Sequence, residues 1–158
     1  MLFAVVLSIL FITVALFVPK RLKRDELYAI CLFSTVLGFS VDIVLDFKYH
    51  LYGYIKPGVQ ILGFLPSLCL FPASGVLFMN FFPFKTNFMY KVSYIIGWTI
   101  ICLLVEYSLL TSGYFYYNGW KVGYSAFTYP FLFIIHLLHW RIYRRFTRAS
   151  QAYPITYD

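Results

Sequence analysis

The chain has 158 residues, of which 61% are hydrophobic, 23% are aromatic and 12% are charged. A soluble domain carries about 25% charged residues, so this composition excludes a water-soluble globular protein and indicates lipid as the surrounding solvent. The net charge of +7 does not indicate nucleic-acid binding, because the basic residues lie at the ends of apolar segments. We expect one transmembrane helical domain over residues 1–148 and a short cytoplasmic tail over residues 149–158.

Five apolar segments are predicted to be membrane-spanning helices, which makes the expected fold an all-α integral membrane bundle. The first segment carries its positive charge after the apolar run and has no small-residue cleavage site, so we expect a retained anchor rather than a signal peptide. The predicted spans are residues 1–18, 27–47, 59–82, 92–110 and 125–140.

The third segment is irregular in composition. It contains Gly63, Pro66, Pro72 and Gly75, and each proline removes a backbone hydrogen bond and presses on the preceding turn. We therefore expect this helix to be kinked or broken. A broken helix would border a cavity and offer free backbone groups to a ligand, whereas a kink would only improve packing.

The distribution of lysine and arginine predicts the orientation. With five spans, ten of the thirteen basic residues fall on one side and three on the other, so the side with ten should face the cytoplasm. This predicts an N-terminus outside and a C-terminus inside. The ten are Lys20, Arg21, Lys23, Arg24, Lys85, Lys91, Arg141, Arg144, Arg145 and Arg148.

Three of the six acidic residues, Asp42, Asp46 and Glu106, lie inside predicted spans. A carboxylate at the centre of a bilayer costs about 2.5–3.5 kcal/mol, so such groups usually face a bundle interior or a wet cavity. Asp42 and Asp46 are four residues apart and should share one helix face, and the predicted topology puts all three acids in the outer half. They are candidates for one outward-facing acidic pocket. Alternatively, Asp46 pairs at the surface with Lys48 or Lys121, and Asp42 makes a polar contact between helices.

Both outer connections are rich in tyrosine and tryptophan. Most of these rings should form an interfacial belt, but the same loops are also candidates for a lid above the acids. The candidate ligand-binding residues are therefore Asp42, Asp46, Glu106, Lys48, Lys121, Tyr117 and Trp120.

His136 and His139 are three residues apart in the fifth span and can meet Cys31 at a similar depth. A metal site needs a further ligand, so these three are weak candidates only. We predict no metal site and no cofactor.

Four segments carry a resemblance to a known group of proteins: LYGYIKPGVQILGFLPSLCLFP, LFMNFFPFKTNF, YIIGWTIICLLVEY and TSGYFYYNGWKVGYSAFTYP. The region from Asp42 to Arg145, about two-thirds of the chain, resembles short, uncharacterised five-span membrane proteins of spore-forming Gram-positive bacteria. The resemblance implies a bacterial cell membrane. It assigns no activity and no catalytic residue.

Three functions are compatible with these features. The first is binding, or help in transport, of a proton, a cation or a small cationic ligand at the outer acids. The second is a non-catalytic accessory subunit that packs against a membrane partner or a second copy through its small residues, Gly38, Gly63, Gly75 and Gly97. The third is a lipid- or envelope-modifying enzyme with a carboxylate base, in which Lys48 or Lys121 stabilises negative charge. We expect membrane lipids as partners in each case.

Overall fold

The structure, a computed structural model, describes residues 1–55 and 61–152, which form an all-α bundle with a small antiparallel sheet at one end. Helix α2 continues into a six-residue π-helix, Ile43–Lys48. Within the described residues the elements are α1 Leu2–Phe17, α2 Arg24–Asp42, β1 Tyr52–Tyr54, α3 Ile61–Phe81, α4 Phe88–Thr111, β2 Phe115–Tyr117 and α5 Val122–Ala152. Helix α5 thus includes the start of the predicted tail, and the rest of that tail lies outside the described residues.

Four helical segments are long and apolar enough to cross a bilayer: Arg24–Lys48, Gly63–Phe81, Phe88–Thr111 and Val122–Ala149. The chain is therefore a multi-pass membrane protein. Helix α1 is also apolar, but its 16 residues extend only about 24 Å, and the hydrocarbon layer is about 30 Å thick. Five crossings, and the orientation derived from them, stay predictions.

Successive helices run in opposite directions, which gives the bundle two chemically different ends. At one end, the basic end, Arg144 of α5 forms a salt bridge of 3.2 Å with Glu26 of α2. At the same end the backbone N–H of Arg21 donates to the Asn80 side chain at 2.7 Å. At the other end, the sheet end, β1 follows the π-helix and β2 follows α4. The ten basic residues counted above belong to the connections and the helix terminus of the basic end.

Local sequence explains where α2 and α4 begin. Glu26 accepts a hydrogen bond from the Lys23 backbone N–H at 3.0 Å, and its negative charge in the first turn also suits the helix dipole. Asn87 accepts from the Tyr90 backbone N–H at 3.1 Å and caps α4. Both helices start at residues that bond the free N–H groups of a first turn.

The half of the bundle nearer the basic end, the basic half, has an interior filled with aromatic rings. Phe78 stacks on Phe133 at a centroid distance of 4.3 Å, and Trp140 stacks on Phe84 at 4.1 Å. The Tyr94 hydroxyl donates to the Phe78 carbonyl at 2.8 Å. Such contacts stabilise helix packing in lipid, where the hydrophobic effect between helices is absent.

Helix α3 runs without interruption from Ile61 to Phe81, with Pro66 and Pro72 inside it. Of the two alternatives predicted for this helix, kinked or broken, the structure therefore excludes the broken helix. Each proline removes a single backbone hydrogen bond, and α1 and α2 both pack along α3 and hold it. Ser8 of α1 donates to the Pro66 carbonyl at 3.1 Å.

Two glycines allow close approach of neighbouring helices within this chain. A Cβ at Gly38 would overlap the Phe71 ring, and a Cβ at Gly75 would overlap the Ser34 hydroxyl. A Cβ at Gly97, by contrast, would meet no atom within 4 Å. Gly38 and Gly75 thus serve internal packing, and they no longer support a docking face for a membrane partner.

Candidate functional site

Asp42 is the last residue of α2 and is buried, with 3% of its surface exposed. Its Oδ1 accepts a hydrogen bond from the Tyr52 hydroxyl at 2.7 Å, and its Oδ2 accepts from the Tyr54 hydroxyl at 3.0 Å. Tyr52 and Tyr54 belong to the same strand, β1. One carboxylate therefore fixes both tyrosines of that strand to the bundle.

Glu106 of α4 is also buried, with 7% of its surface exposed. Its Oε1 accepts from the Tyr117 hydroxyl at 2.5 Å and from the Ser125 hydroxyl at 2.7 Å, and its Oε2 accepts from the Tyr129 hydroxyl at 2.8 Å. These donors come from β2 and α5. Glu106 thus joins α4, β2 and α5 at one point.

The hydrogen-bond directions at Glu106 follow from Trp120. Its indole Nε1–H lies 2.8 Å from the Ser125 hydroxyl and can only donate. The Ser125 oxygen must then accept from Trp120, which leaves its own hydrogen for Glu106. The carboxylate is at the end of a directed chain of donors, from which it accepts.

The tyrosines of the sheet keep their protons at neutral pH. Burial, and then the nearby charge of Asp42, raise the pKa of Tyr52. Burial, and then its hydrogen bond to Glu106, raise the pKa of Tyr117. Each phenol is therefore a donor to its carboxylate.

Strands β1 and β2 pair antiparallel, with Tyr52 opposite Tyr117 and Tyr54 opposite Phe115. Directly before β2, the Tyr114 hydroxyl donates to the Gly63 carbonyl of α3. The two tyrosine-rich connections thus form one small cover, anchored on Asp42, Glu106 and the backbone of α3. The sequence suggested a lid over the acids, but it did not predict that the lid is a sheet.

Asp42 and Glu106 line the same cavity, which has a volume of about 230 Å³ and lies between the helices below the sheet. The lining is mostly carbon. Within the part of the chain that the structure describes, it contains these two carboxylates and no lysine or arginine. The aromatic residues of its sheet end are Tyr52, Tyr54, Tyr114, Phe115, Trp120 and Tyr129.

Asp46 does not share this cavity, although it was expected on the face of Asp42. It lies in the π-helix Ile43–Lys48 and is half-buried. In this part of the chain the cavity lining ends with Leu45, and Asp46 is not part of it.

Lys48 and Lys121 are both exposed, and neither lines the cavity. The Lys48 ammonium lies 5.1 Å from the centre of the Tyr49 ring. Among the described residues, neither lysine forms a salt bridge with Asp42, Asp46 or Glu106. The surface pairing considered for Asp46 is therefore not found there. Of the seven candidate ligand-binding residues, the structure brings together Asp42, Glu106, Tyr117 and Trp120.

The weak metal candidates do not form a ligand cluster. Phe33 packs between the two histidines, stacked on His139 at 3.8 Å and edge-on to His136 at 5.3 Å. Within residues 1–55 and 61–152, no group of three metal-ligating side chains comes together, with or without Cys31. His136 instead lines the cavity, at the end away from the sheet.

Sequence reasoning missed Tyr52, Tyr54, Ser125 and Tyr129 as partners of the acids. Tyr52 and Tyr54 alternate around Gly53, a period-two pattern that indicates a strand. Ser125 and Tyr129 are four residues apart and share a helix face. Both sequence patterns are short, but they could have indicated these partners.

No family model, curated protein or solved structure matches the chain.

Proposed function

We propose that this protein binds a lipophilic organic cation, a protonated amine or a quaternary ammonium, in the cavity below the sheet. The observation that carries the proposal is that Asp42 and Glu106 line one cavity whose described lining has no lysine or arginine. Two carboxylates buried in a mostly apolar lining are costly unless a positive charge accompanies them. Hydroxyl donors offset part of this cost, and a cationic ligand offsets the remainder.

The lining favours an organic cation over a metal ion. Calcium takes six to eight oxygen ligands and magnesium needs six, while the carboxylate oxygens here already accept five hydroxyl hydrogen bonds. Aromatic faces attract ammonium groups, by about 2 kcal/mol or more where water is excluded. A mostly apolar pocket with a few fixed polar groups is also the usual form of a small-molecule site.

The proposed location is a bacterial cell membrane, with the sheet end outside. The resemblance to five-span proteins of spore-forming bacteria and the ten basic residues of the opposite end support it. In this orientation the carboxylate end of the cavity lies in the outer half of the bundle. The protein would then receive its ligand from the outer leaflet or from the external solution, as a binding protein or as the binding part of a transport system.

The enzyme alternative is less well supported by the geometry. It requires a cation beside a carboxylate base to stabilise developing negative charge. The two lysines considered for this role, Lys48 and Lys121, lie outside the cavity lining. Binding therefore accounts for more of the described site than catalysis does.

The test is equilibrium binding of hexylamine to the purified protein in nanodiscs, by calorimetry and by tryptophan fluorescence. Hexanol is the matched neutral ligand, and empty nanodiscs correct for partition into lipid. We expect hexylamine to bind about tenfold more tightly than hexanol. Asp42→Asn and Glu106→Gln should each remove most of this preference.

A control variant sharpens the result. Asp46→Asn removes a carboxylate that lies outside the cavity lining and should leave binding unchanged. Equal affinities for hexylamine and hexanol, or a loss of binding in Asp46→Asn as large as in Asp42→Asn, would contradict the proposal.

A further inference from the structure

The cavity has a second polar end, at His136 of α5. This side chain is 8% exposed, and its Nδ1 atom is buried without a hydrogen-bond partner among the described residues. A buried polar atom left unpaired costs about 1–3 kcal/mol. Because His136 lines the cavity, a turn of the imidazole ring would bring this nitrogen to a ligand there.

Two helices give the same separation between the polar ends. On α5, His136 follows Tyr129, a partner of Glu106, by seven residues, which is a rise of about 10 Å. On α2, Ser34 precedes Asp42 by eight residues, a rise of about 12 Å. Ser34 and His136 are at the same level, since a Cβ at Gly75 would contact both side chains.

Hydrocarbon fills the distance between these ends. The middle of the cavity is lined by Leu37, Val41, Leu132 and Phe133, and Phe71 covers Gly38 at the same depth. A ligand that reaches from the carboxylates to His136 must therefore have an apolar centre.

Two neighbours hold the His136 ring beside the cavity. Phe33 contacts it edge-on at 5.3 Å, and a Cβ at Gly75 would lie 3.4 Å from its Cε1. A neutral imidazole has one N–H donor and one acceptor nitrogen. A hydroxyl group can serve Nδ1 in either tautomer, because it both donates and accepts.

We infer that the ligand is a bipolar amphiphile, with its cationic group at Asp42 and Glu106 and a hydroxyl-type group at His136, joined by an apolar chain. This inference rests on the proposed function and adds the second anchor and the length. It assigns His136 a ligand-binding role in place of the metal-binding role considered from the sequence.

The experiment compares aminohexanol with hexylamine, which differ only in the terminal hydroxyl, on the full chain in nanodiscs. In the wild type we expect aminohexanol to bind about threefold to tenfold more tightly, the effect of one net hydrogen bond. His136→Phe should remove this preference and retain hexylamine binding. His136→Gln keeps a polar group and should retain part of the preference, which also covers the case that His136→Phe does not fold.

A length control uses ethanolamine and ethylamine, since the ethanolamine hydroxyl cannot reach His136 from the carboxylates. This pair should show no preference for the hydroxyl compound. The inference is overturned if hexylamine binds in an Asp42-dependent manner but aminohexanol binds no better, or if the preference persists in His136→Phe. The proposed function itself fails in a different way, when neither amine binds better than hexanol.

Discussion

The two halves of the bundle use aromatic side chains in opposite ways. In the basic half, aromatic rings such as Phe84 and Trp140 stack and fill the interior. In the half nearer the sheet, tyrosines such as Tyr52 and Tyr129 donate hydrogen bonds to carboxylates and border an open cavity. The comparison teaches that dense packing in one half stabilises a bundle whose other half keeps a cavity and two buried acids.

The greatest loss of stability is expected when a buried ring of the basic half is truncated. Phe78→Ala removes a ring with no exposed surface and should lower the free energy of unfolding by about 3 kcal/mol or more. Unfolding in bicelles measures it, with Phe127→Ala, a ring that is 84% exposed, as the control. A similar loss of stability in both variants would contradict the packing of the Phe78 ring in the interior.

The next effect concerns the close contact between α2 and α3. Gly75→Ala puts a methyl group against the Ser34 hydroxyl and should cost about 1–3 kcal/mol. Adding Ser34→Gly should restore most of the lost stability, because it removes the clashing atoms. Gly97→Ala, which meets open space, should be neutral or slightly stabilising. Equal effects of the two alanine variants would show that the contact is not tight.

A smaller effect is expected from a single hydroxyl in the cavity half. Tyr52→Phe removes one of the two hydrogen bonds to Asp42 and should cost about 1 kcal/mol. A double-mutant cycle with Asp42→Ala, which removes the acceptor, isolates the pair, and Tyr116→Phe is the matched change on the paired strand. A coupling energy of zero would contradict the anchoring of β1 by Asp42.

The smallest effect is predicted for Asp46. Asp46→Asn changes a half-buried carboxylate that has no hydrogen-bond partner on the sheet and no place in the cavity lining. Stability should change by less than about 0.5 kcal/mol. Thermal unfolding of Asp46→Asn and Asp42→Asn gives the comparison. A loss of stability in Asp46→Asn as large as that in Asp42→Asn would indicate that Asp46 belongs to the candidate site.

The helices could be predicted closely because long apolar runs with charged ends leave few alternatives in a membrane chain. Residues 92–110 were expected to be helical, and α4 is Phe88–Thr111. The sheet could not be predicted, because each strand has three residues and its partner lies about sixty positions away in the chain. Only the folded bundle brings β1 and β2 together.

The candidate site could be predicted in part. Asp42 and Glu106 were identified because acids are costly inside apolar segments. In the structure both are buried and line the cavity. Asp46 was expected beside Asp42 from its spacing alone, but spacing does not show how far along the helix the cavity extends, and the lining ends with Leu45. The sequence indicated His136 only as a weak metal-ligand candidate. That its Nδ1 has no hydrogen-bond partner among the described residues can be seen only once its neighbours in the fold are known.

Native mass spectrometry of the protein extracted with its own membrane can decide whether a cation is bound at Asp42 and Glu106. We expect the wild type and Asp46→Asn to retain a cationic small molecule, and Asp42→Asn and Glu106→Gln to lose it. A wild type that retains a neutral or anionic molecule, or variants that retain the same molecule to the same extent as the wild type, would contradict cation binding at these carboxylates.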